Sequence, residues 1–510
     1  MTSAQVDAVV VGGGPNGLTA AIALARGGRS VLVLEAQERL GGAVKTEELT
    51  LPGFRHDVFS AVYPAAAASP VFASMPLERH GLRWVQPEIP MAHPHDDGRA
   101  AALMRDVDAT AATLDTLQPG DGAAWREAVT PYVRSFDALR ATMLSGFPPV
   151  AGPARLLSKL GVSGTLEFVQ LLLTSAHAFG ERLFSSDRSR GWLYGSAMHG
   201  DVPPENAGSA ISAVYLKVLG HVVGWPSPQG GAGRLADALA GVLREEGGRA
   251  QTRARVAEVL VERNRVAGVR TDEGDVVRAR IVVCDTSPRG LLAMAETALP
   301  DEYVRRLLAF RYGPSTLKVD WALDGPVPWT APEARRAGTV HVGGTAPEIA
   351  EAIRSIDTGT PAQAPFLLFG QQSVADPTRA PAGKHTAWAY THVPRSLDWA
   401  LERDPFVERM EAQVERFAPG FRDLILARHV MDPGDLQARD DNLEHGDVGG
   451  GSYALDQLVF RPVPSLSPYR TPLRGLYIGS ASAFPGGAVH GVPGDAAARA
   501  ALMDAKLRRV

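Results

Sequence analysis

Cysteine is almost missing from this chain: Cys284 is the one thiol in 510 residues. That excludes an internal disulfide framework, a Cys-x-x-Cys redox pair and any multi-cysteine zinc or iron–sulfur site. A basic excess is missing too. Lys plus Arg number 52 against 56 Asp plus Glu, a net charge of −4, which lacks the charge footprint of a nucleic-acid binder. Long apolar runs are scarce. No stretch of about 20 residues escapes charge and proline, so no membrane-spanning helix is predicted. The first apolar run, Val6 to Val11, leads into glycines instead of a cleavage site, and no secretory signal is read there. The expectation is a soluble cytoplasmic protein, with contact at the membrane periphery left open. The 53 glycines and 38 prolines are scattered without a period, which indicates many turns and no collagen-like or solenoid repeat. The length suits two to four structural units at roughly 100–200 residues each.

What is present begins with a nucleotide-binding pattern. Val6 to Val11 reads as a short strand buried on both faces. Gly12-Gly13-Gly14-Pro15-Asn16-Gly17 follows, with Gly12, Gly14 and Gly17 in the GxGxxG spacing. Leu18 to Gly28 is an Ala/Leu-rich helix with a glycine stop, and Ser30 to Glu35 is a second buried strand ending in a carboxylate. Gly12 permits the tight turn, Gly14 lets a pyrophosphate approach the backbone, and Gly17 lets the helix pack close to the strand. The helix N-terminus offers free N–H groups to phosphates, and Pro15 and Asn16 in the loop before it are read as cofactor-binding. Glu35, next to Ala36, falls 18 positions after Gly17, where an acid accepts both ribose hydroxyls and disfavours a 2′-phosphate.

Two further landmarks stand downstream. Gly230-Gly231-Ala232-Gly233 opens a helix to about Glu246, followed by a predicted β-meander through Arg255–Val261, Val266–Val269 and Val276–Cys284. Gly475 to Ser480 is a short strand, and Pro485 to Asp495 leads into an Ala-rich helix over 495–508. Small residues before that helix, Gly487, Ala488 and Val489 with Gly479 and Ser480, suit a backbone that approaches a cofactor. The nucleotide domain is therefore predicted to be discontinuous, from 1–65, 225–290 and 465–510. A substrate domain is predicted from 66–224 and 291–464.

Gly41-Gly42-Ala43, just after the acidic strand, resembles the Gly-Gly segment of FAD enzymes of the amine oxidase and carotenoid desaturase superfamily. Arg39 precedes it, and Ala43 stands where many members have arginine. Together with Leu51-Pro52-Gly53-Phe54, Gly230–Gly233, Asn442–Gly446, Asp456–Pro462, Tyr469–Pro472 and Tyr477–Gly494, the chain resembles phytoene desaturase-related FAD oxidoreductases. Its closest likeness is to the branch holding carotenoid ketolase-type enzymes and the pyridine nucleotide-disulfide oxidoreductase domain-containing protein 2 group. With one cysteine, no dithiol relay is possible despite that name. The resemblance implies an α/β fold with a discontinuous Rossmann-type FAD-binding domain and an α+β substrate domain. It also implies non-covalent FAD, with Val256 holding the adenine by its backbone. The implied activity is dehydrogenation or oxidation of a small organic, hydrophobic substrate, with an amine oxidase-like reaction and a catalytically decayed flavin scaffold as alternatives. Oxygen or a quinone would accept the electrons. No second GxGxxG follows a strand, which argues against a separate NAD(P)H domain. The oligomeric state is left open.

The cofactor carries the redox step, so no nucleophilic triad or metal is required, and no metal site is predicted. His93-Pro94-His95-Asp96 is read as an exposed polar loop. Three side chains are weighed for the active site. His490 lies in the C-terminal small-residue segment and is suited to proton transfer near neutrality, with a hydrogen-bonding brace as the alternative. His445 sits before a glycine-rich loop. Lys318 lies on an alternating strand and is weighed against a satisfied structural lysine. Arg461 faces either an acidic substrate or a salt bridge. Leu166 to Phe184 is read as an apolar helix packed in the core, the alternative being a lipid-facing mouth.

Overall fold

The computed structural model describes residues 3–507; the remaining termini, including the predicted helix end at 508, lie outside the described residues. Valine-rich runs too short for helices form an all-parallel five-stranded sheet. Its strand order is Arg249–Gln251, Val31–Leu34, Ala8–Val11, Ile281–Cys284 and Leu476–Ile478. Alternate side chains feed two cores. Val10, Val33 and Val283 pack under the helices Pro15–Arg26, Gly233–Glu245 and Val492–Lys506. Val9, Leu34 and Cys284 face the other way, toward the strands Val256–Glu262 and Arg265–Thr271. Small residues let two helices cross almost backbone to backbone: a Cβ on Gly494 would stand 1.9 Å from the Asn16 carbonyl oxygen.

The second half is a mixed seven-stranded sheet. Its order is Ile425–Met431, Ser315–Leu323, His385–Val393, Leu367–Gly370, Ala337–Val342, Ile89–Pro94 and Ala100–Leu103. One face packs on the helix Trp399–Phe417, and the other lies under helices drawn from 107–222.

Several expectations need correction. The run Val276–Cys284 is two strands, because Ala279-Arg280 carry the chain from the four-stranded meander sheet, at Val276–Arg278, into the parallel sheet. More of the chain packs on the parallel sheet than the pieces 1–65, 225–290 and 465–510. Phe72, Met75, Leu77 and Leu82 pack with the first core, and Leu291 to Leu307 pack with the second, since both segments bury apolar faces against that sheet. His93 and His95 are buried, on and just after a strand, with only Asp96 exposed. The segment Leu166–Phe184 belongs to two helices, Ala151–Leu173 and Ala176–Leu183. Phe168, Leu171, Ala176 and Phe184 are buried, but Leu166 and Leu173 are exposed. The first of these helices is long and apolar enough to cross a membrane by length and composition.

Candidate functional site

At the carboxyl ends of Ala8–Val11 and Ile281–Cys284, where the chain turns to opposite sides of the parallel sheet, a cleft of about 470 Å³ opens. This is the switch point at which open α/β sheets bind ligands. The helix Pro15–Arg26 starts there: its N-cap, Gly14, has no side chain to offer, Pro15 lacks a donor, and the Gly17 N–H in the first turn is taken by a carboxylate from elsewhere in the chain. Side chains would close the approach. A Cβ on Gly14 would lie 2.8 Å from Asp285 Oδ2, and one on Gly42 would lie 3.1 Å from the Gly14 Cα. Gly12, at φ 98°, could carry a Cβ only 2.8 Å from the Asp285 carbonyl oxygen.

Of the seventeen residues predicted to hold a cofactor, thirteen line this cleft: Gly12, Gly14, Pro15, Asn16, Glu35, Ala36, Gly42, Ala43, Val256, Ser480, Gly487, Ala488 and Val489. Three others shape it from behind. A Cβ on Gly17 would stand 2.1 Å from the Gly12 carbonyl, Gly41 donates its N–H to Gly13 O, and Gly479 donates to Cys284 O. Arg39 is exposed in a separate open groove. Glu35 does more than its position implied. Its Oε2 accepts the Gly13 N–H at 2.7 Å and its Oε1 accepts the Gln37 N–H at 2.8 Å, so the carboxylate ties the glycine loop to its own strand end.

The sequence reading missed a group centred on Asp285. This buried carboxylate accepts the Gly17 N–H at 2.8 Å, and burial pushes its pKa up to about 7. Asn442 clamps it by donating to the Asp285 carbonyl and accepting the Ser287 N–H, while the Ser287 hydroxyl bonds to Glu444. Asp440, also in the lining, is pushed up to about 6 by burial. The available signal was positional: Asp285-Thr286-Ser287 directly follows a buried strand beside the glycine strand, at the edge where ligands bind. The segment 437–450 brings in the opposite wall, including Leu443 and Val448.

None of the three active-site candidates lines the cleft. His490 is buried behind it, its Nδ1 accepting the Val492 N–H at 3.2 Å and its carbonyl accepting the Ser69 hydroxyl at 2.6 Å. Burial pushes its pKa down to about 4, so the ring is neutral at pH 7. His445 turns away in a left-handed conformation, φ 54°, with its Nε2 3.3 Å from Arg289. Lys318 is buried with its Nζ 2.5 Å from both Asp320 oxygens, an ion pair on the seven-stranded sheet. Arg461 is not in a salt bridge with a substrate-facing acid. Its buried guanidinium binds the carbonyls of Gly450, Ala481 and Ser482 and lies over the Tyr453 ring, which braces two loops at the cleft.

A helix N-terminus at the sheet edge, glycines at close approach and an acid at the second strand end together fit a dinucleotide-type cofactor. Comparison with known proteins agrees. A family model described as flavin containing amine oxidoreductase matches residues 16–502. The chain is 28% identical, over 98% of its length and 94% of the relative's, to pyridine nucleotide-disulfide oxidoreductase domain-containing protein 2 of Mus musculus. It is 25% identical to a limonene dehydrogenase polypeptide of Castellaniella defragrans, over 95% and 92% of the two chains. It is 23% identical to a neurosporene-forming phytoene desaturase of Cereibacter sphaeroides, over 97% and 94%. Among solved structures, a putrescine oxidase variant superimposes with a TM-score of 0.65 at 16% identity, over 99% of this chain and 100% of that one. At that identity the likeness concerns the fold.

Proposed function

The chain belongs to the flavin containing amine oxidoreductase family, and from that premise we propose that it is an FAD-dependent dehydrogenase or oxidase of a hydrophobic organic substrate. The observation that carries this reading is the two-sided cleft. One wall is the glycine-loop machinery, and the other is the 437–450 segment from the substrate side, with Leu443 and Val448 beside Ala43, Val44 and Val489. The glycine loop and helix start would hold the FAD phosphates, Glu35 the ribose, and Ala43 with the 487–489 backbone the ring system. When bound, the flavin supplies the hydride acceptor. The protein's part is to exclude water and to aim one substrate C–H bond at it. Loss of that hydride and of a proton from the adjacent carbon leaves a C=C bond. Two relatives named for limonene and for phytoene support the apolar substrate class.

Non-covalent attachment is part of the proposal. Cys284, the only thiol, points into the core below the sheet, where burial pushes it up to about 12. Acid precipitation should release the yellow colour as FAD; colour kept in the pellet overturns this. The electrons are proposed to leave to oxygen or a quinone, so NADPH should not bleach the flavin rapidly under anaerobic conditions.

A second reading has its own observation. Asp440, Asp441 and Glu444 line the same cleft and would attract an ammonium, which favours a small amine. Anaerobic flavin reduction distinguishes them. Bleaching by a monoterpene or polyene, with a new C=C bond in the product, supports the first. Bleaching only by amines, with an imine, an aldehyde or ammonia released, replaces it.

A further inference from the structure

Helix N-termini bind anions, and the one at Pro15–Arg26 already has a carboxylate beside it. Asp285 is 6% exposed and lines the cleft, and its Oδ2 takes the Gly17 N–H at 2.8 Å. The same oxygen lies 2.8 Å from the point that a Gly14 Cβ would occupy. That Gly17 N–H is the one hydrogen bond to the carboxylate among the described residues, and no cation pairs with it. A second carboxylate approaches from the opposite wall. Asp440 Oδ2 lies 3.5 Å from the position of a Gly42 Cβ, itself 3.1 Å from the Gly14 Cα. Two acids thus flank the two glycines whose missing side chains open the way for a diphosphate.

The surrounding groups do not neutralise Asp285. The start of the helix Pro15–Arg26 and the end of the strand Ala8–Val11 offer it only backbone. The second strand end brings Glu35, and the 437–450 segment brings Asp440 with the neutral Asn442. Cys284, next to it in sequence, is a buried thiol held in its neutral form. Three cations line the cleft, Lys45, Arg255 and Arg289, against Glu35, Asp285, Asp440, Asp441 and Glu444. Arg255 is paired with Asp441, Arg289 lies 3.6 Å from Glu444, and Lys45 acts on Asp440.

A diphosphate at that helix start adds negative charge beside a carboxylate that has no cation of its own. Like charges at such range disfavour the ionised carboxyl, which leaves a proton as the counter-ion at hand. Protonation also turns a repelling oxygen into an O–H donor, while the other oxygen keeps the Gly17 N–H. Burial already pushes Asp285 up to about 7, so the proton is within reach near neutral pH.

We propose that Asp285 holds the cofactor's diphosphate as a carboxylic acid, donating its O–H to a phosphate oxygen, so that FAD binding takes up a proton from solvent and FAD release returns it. The inference rests on the FAD reading above and deepens it. Holoenzyme is diluted at pH 6.5, 7.5 and 8.5, and released FAD is read by its fluorescence. The Kd should weaken toward about tenfold per pH unit above about 7. Asp285→Asn keeps an oxygen for the Gly17 N–H and supplies an N–H donor at every pH. Its Kd should be flat across the range, and at pH 8.5 about tenfold or more tighter than that of the wild type. Should that variant misfold, calorimetric titration of wild-type apoprotein with FAD at pH 8, in two buffers of different ionisation enthalpy, replaces it. About one proton should be taken up per FAD, and no net uptake overturns the proposal. A protein that binds no FAD at any of these pH values refutes the cofactor reading itself. FAD bound with one Kd from pH 6.5 to 8.5 refutes the proton linkage alone. A slope kept in Asp285→Asn but lost in Asp440→Asn overturns the assignment to Asp285. So does pH-independent binding that requires Mg²⁺, since a metal ion would then separate the charges.

Discussion

The two sheets bury their strands equally well, yet they handle polar groups in opposite ways. In the five-stranded sheet both faces are aliphatic, and polarity gathers at the carboxyl ends. There Glu35, Asp285 and Asn442 are answered by backbone N–H and C=O groups. The helix-covered face of the seven-stranded sheet carries Lys318, His392, His341 and His93 in a buried row across four strands. Above it Lys217 lies 3.2 Å from the Trp192 ring centroid, with no hydrogen-bond partner for its Nζ among the described residues. His93 Nδ1, His341 Nδ1 and Trp192 Nε1 are likewise unanswered. The first half answers each of these polar side chains with backbone groups at the sheet edge. The second buries His93, His341 and Lys217 without full partners, so burial favours their neutral forms, while Lys318 and His392 are held against the carboxylates of Asp320 and Asp201.

The largest expected effect breaks that comparison by acid. Burial pushes His93 to about 4, His199 to about 3 and His221 to about 4. Each folded pKa lies below the unfolded value of 6.5, so the unfolded state binds more protons and stability falls as pH drops below 6.5. The loss is about 1.4 kcal/mol per pH unit per histidine until the folded pKa is reached. Asp285 and Asp440 have the opposite sign, since raised carboxyl pKa values favour the folded state as pH falls toward 3.8. Hydrogen exchange corrected for intrinsic rates should show Ile89–Pro94 and Ala337–Val342 losing protection between pH 7 and 5.5, about 4 kcal/mol for the three histidines together. The strands beside the glycine loop should not lose it. Uniform loss across both sheets would erase the distinction.

Next is close packing. Gly494→Val drives a side chain into the Asn16 backbone and should cost about 3 kcal/mol or more, read by urea unfolding. A loss under about 1 kcal/mol would mean the helix crossing is loose. Glu35→Ala removes two charge-assisted bonds to backbone donors, each of about 1.5–3 kcal/mol, and should weaken FAD binding by about tenfold or more in a titration of apoprotein. Unchanged affinity would separate the loop from the cofactor. Lys217→Met fills the same space without a buried amine and should gain about 1 kcal/mol at pH 7. Destabilisation would show that the amine serves a ligand or water in that half.

The smallest effect concerns His490. Because its ring caps the Val492 turn behind the cleft, His490→Ala should lower stability or flavin content and change the rate of flavin reduction less than threefold by stopped flow. A fall within the roughly 10²–10⁴-fold range of acid–base groups would return it to the active site.

The start of the parallel-sheet half was legible because its signals are local. A buried strand, a glycine turn, a helix and an acid occur within 35 residues, and each residue type answers a backbone requirement at its own position. Local pattern was least informative where contacts are long-range. Asp285 meets Gly17 across 268 positions, and Asn442 meets Asp285 across 157, so no spacing rule reveals them. His93-Pro94-His95-Asp96 looked exposed because its residue types favour water, but His93 is packed against His341 and the Gly344 carbonyl and His95 against His93, and both are buried.

By itself, then, the sequence determined the glycine loop, the acid at the second strand end and the three-piece assembly of the parallel sheet's strands. Those depend on φ angles, side-chain size and hydrophobic runs, which are properties of neighbouring residues. The tertiary structure alone decided which polar groups face the cleft, which are locked in ion pairs such as Lys318–Asp320, and which apolar side chains stay uncovered on Ala151–Leu173. Burial and partner are set by what packs from elsewhere in the chain, and the same lysine, histidine or leucine takes either role until that packing is known.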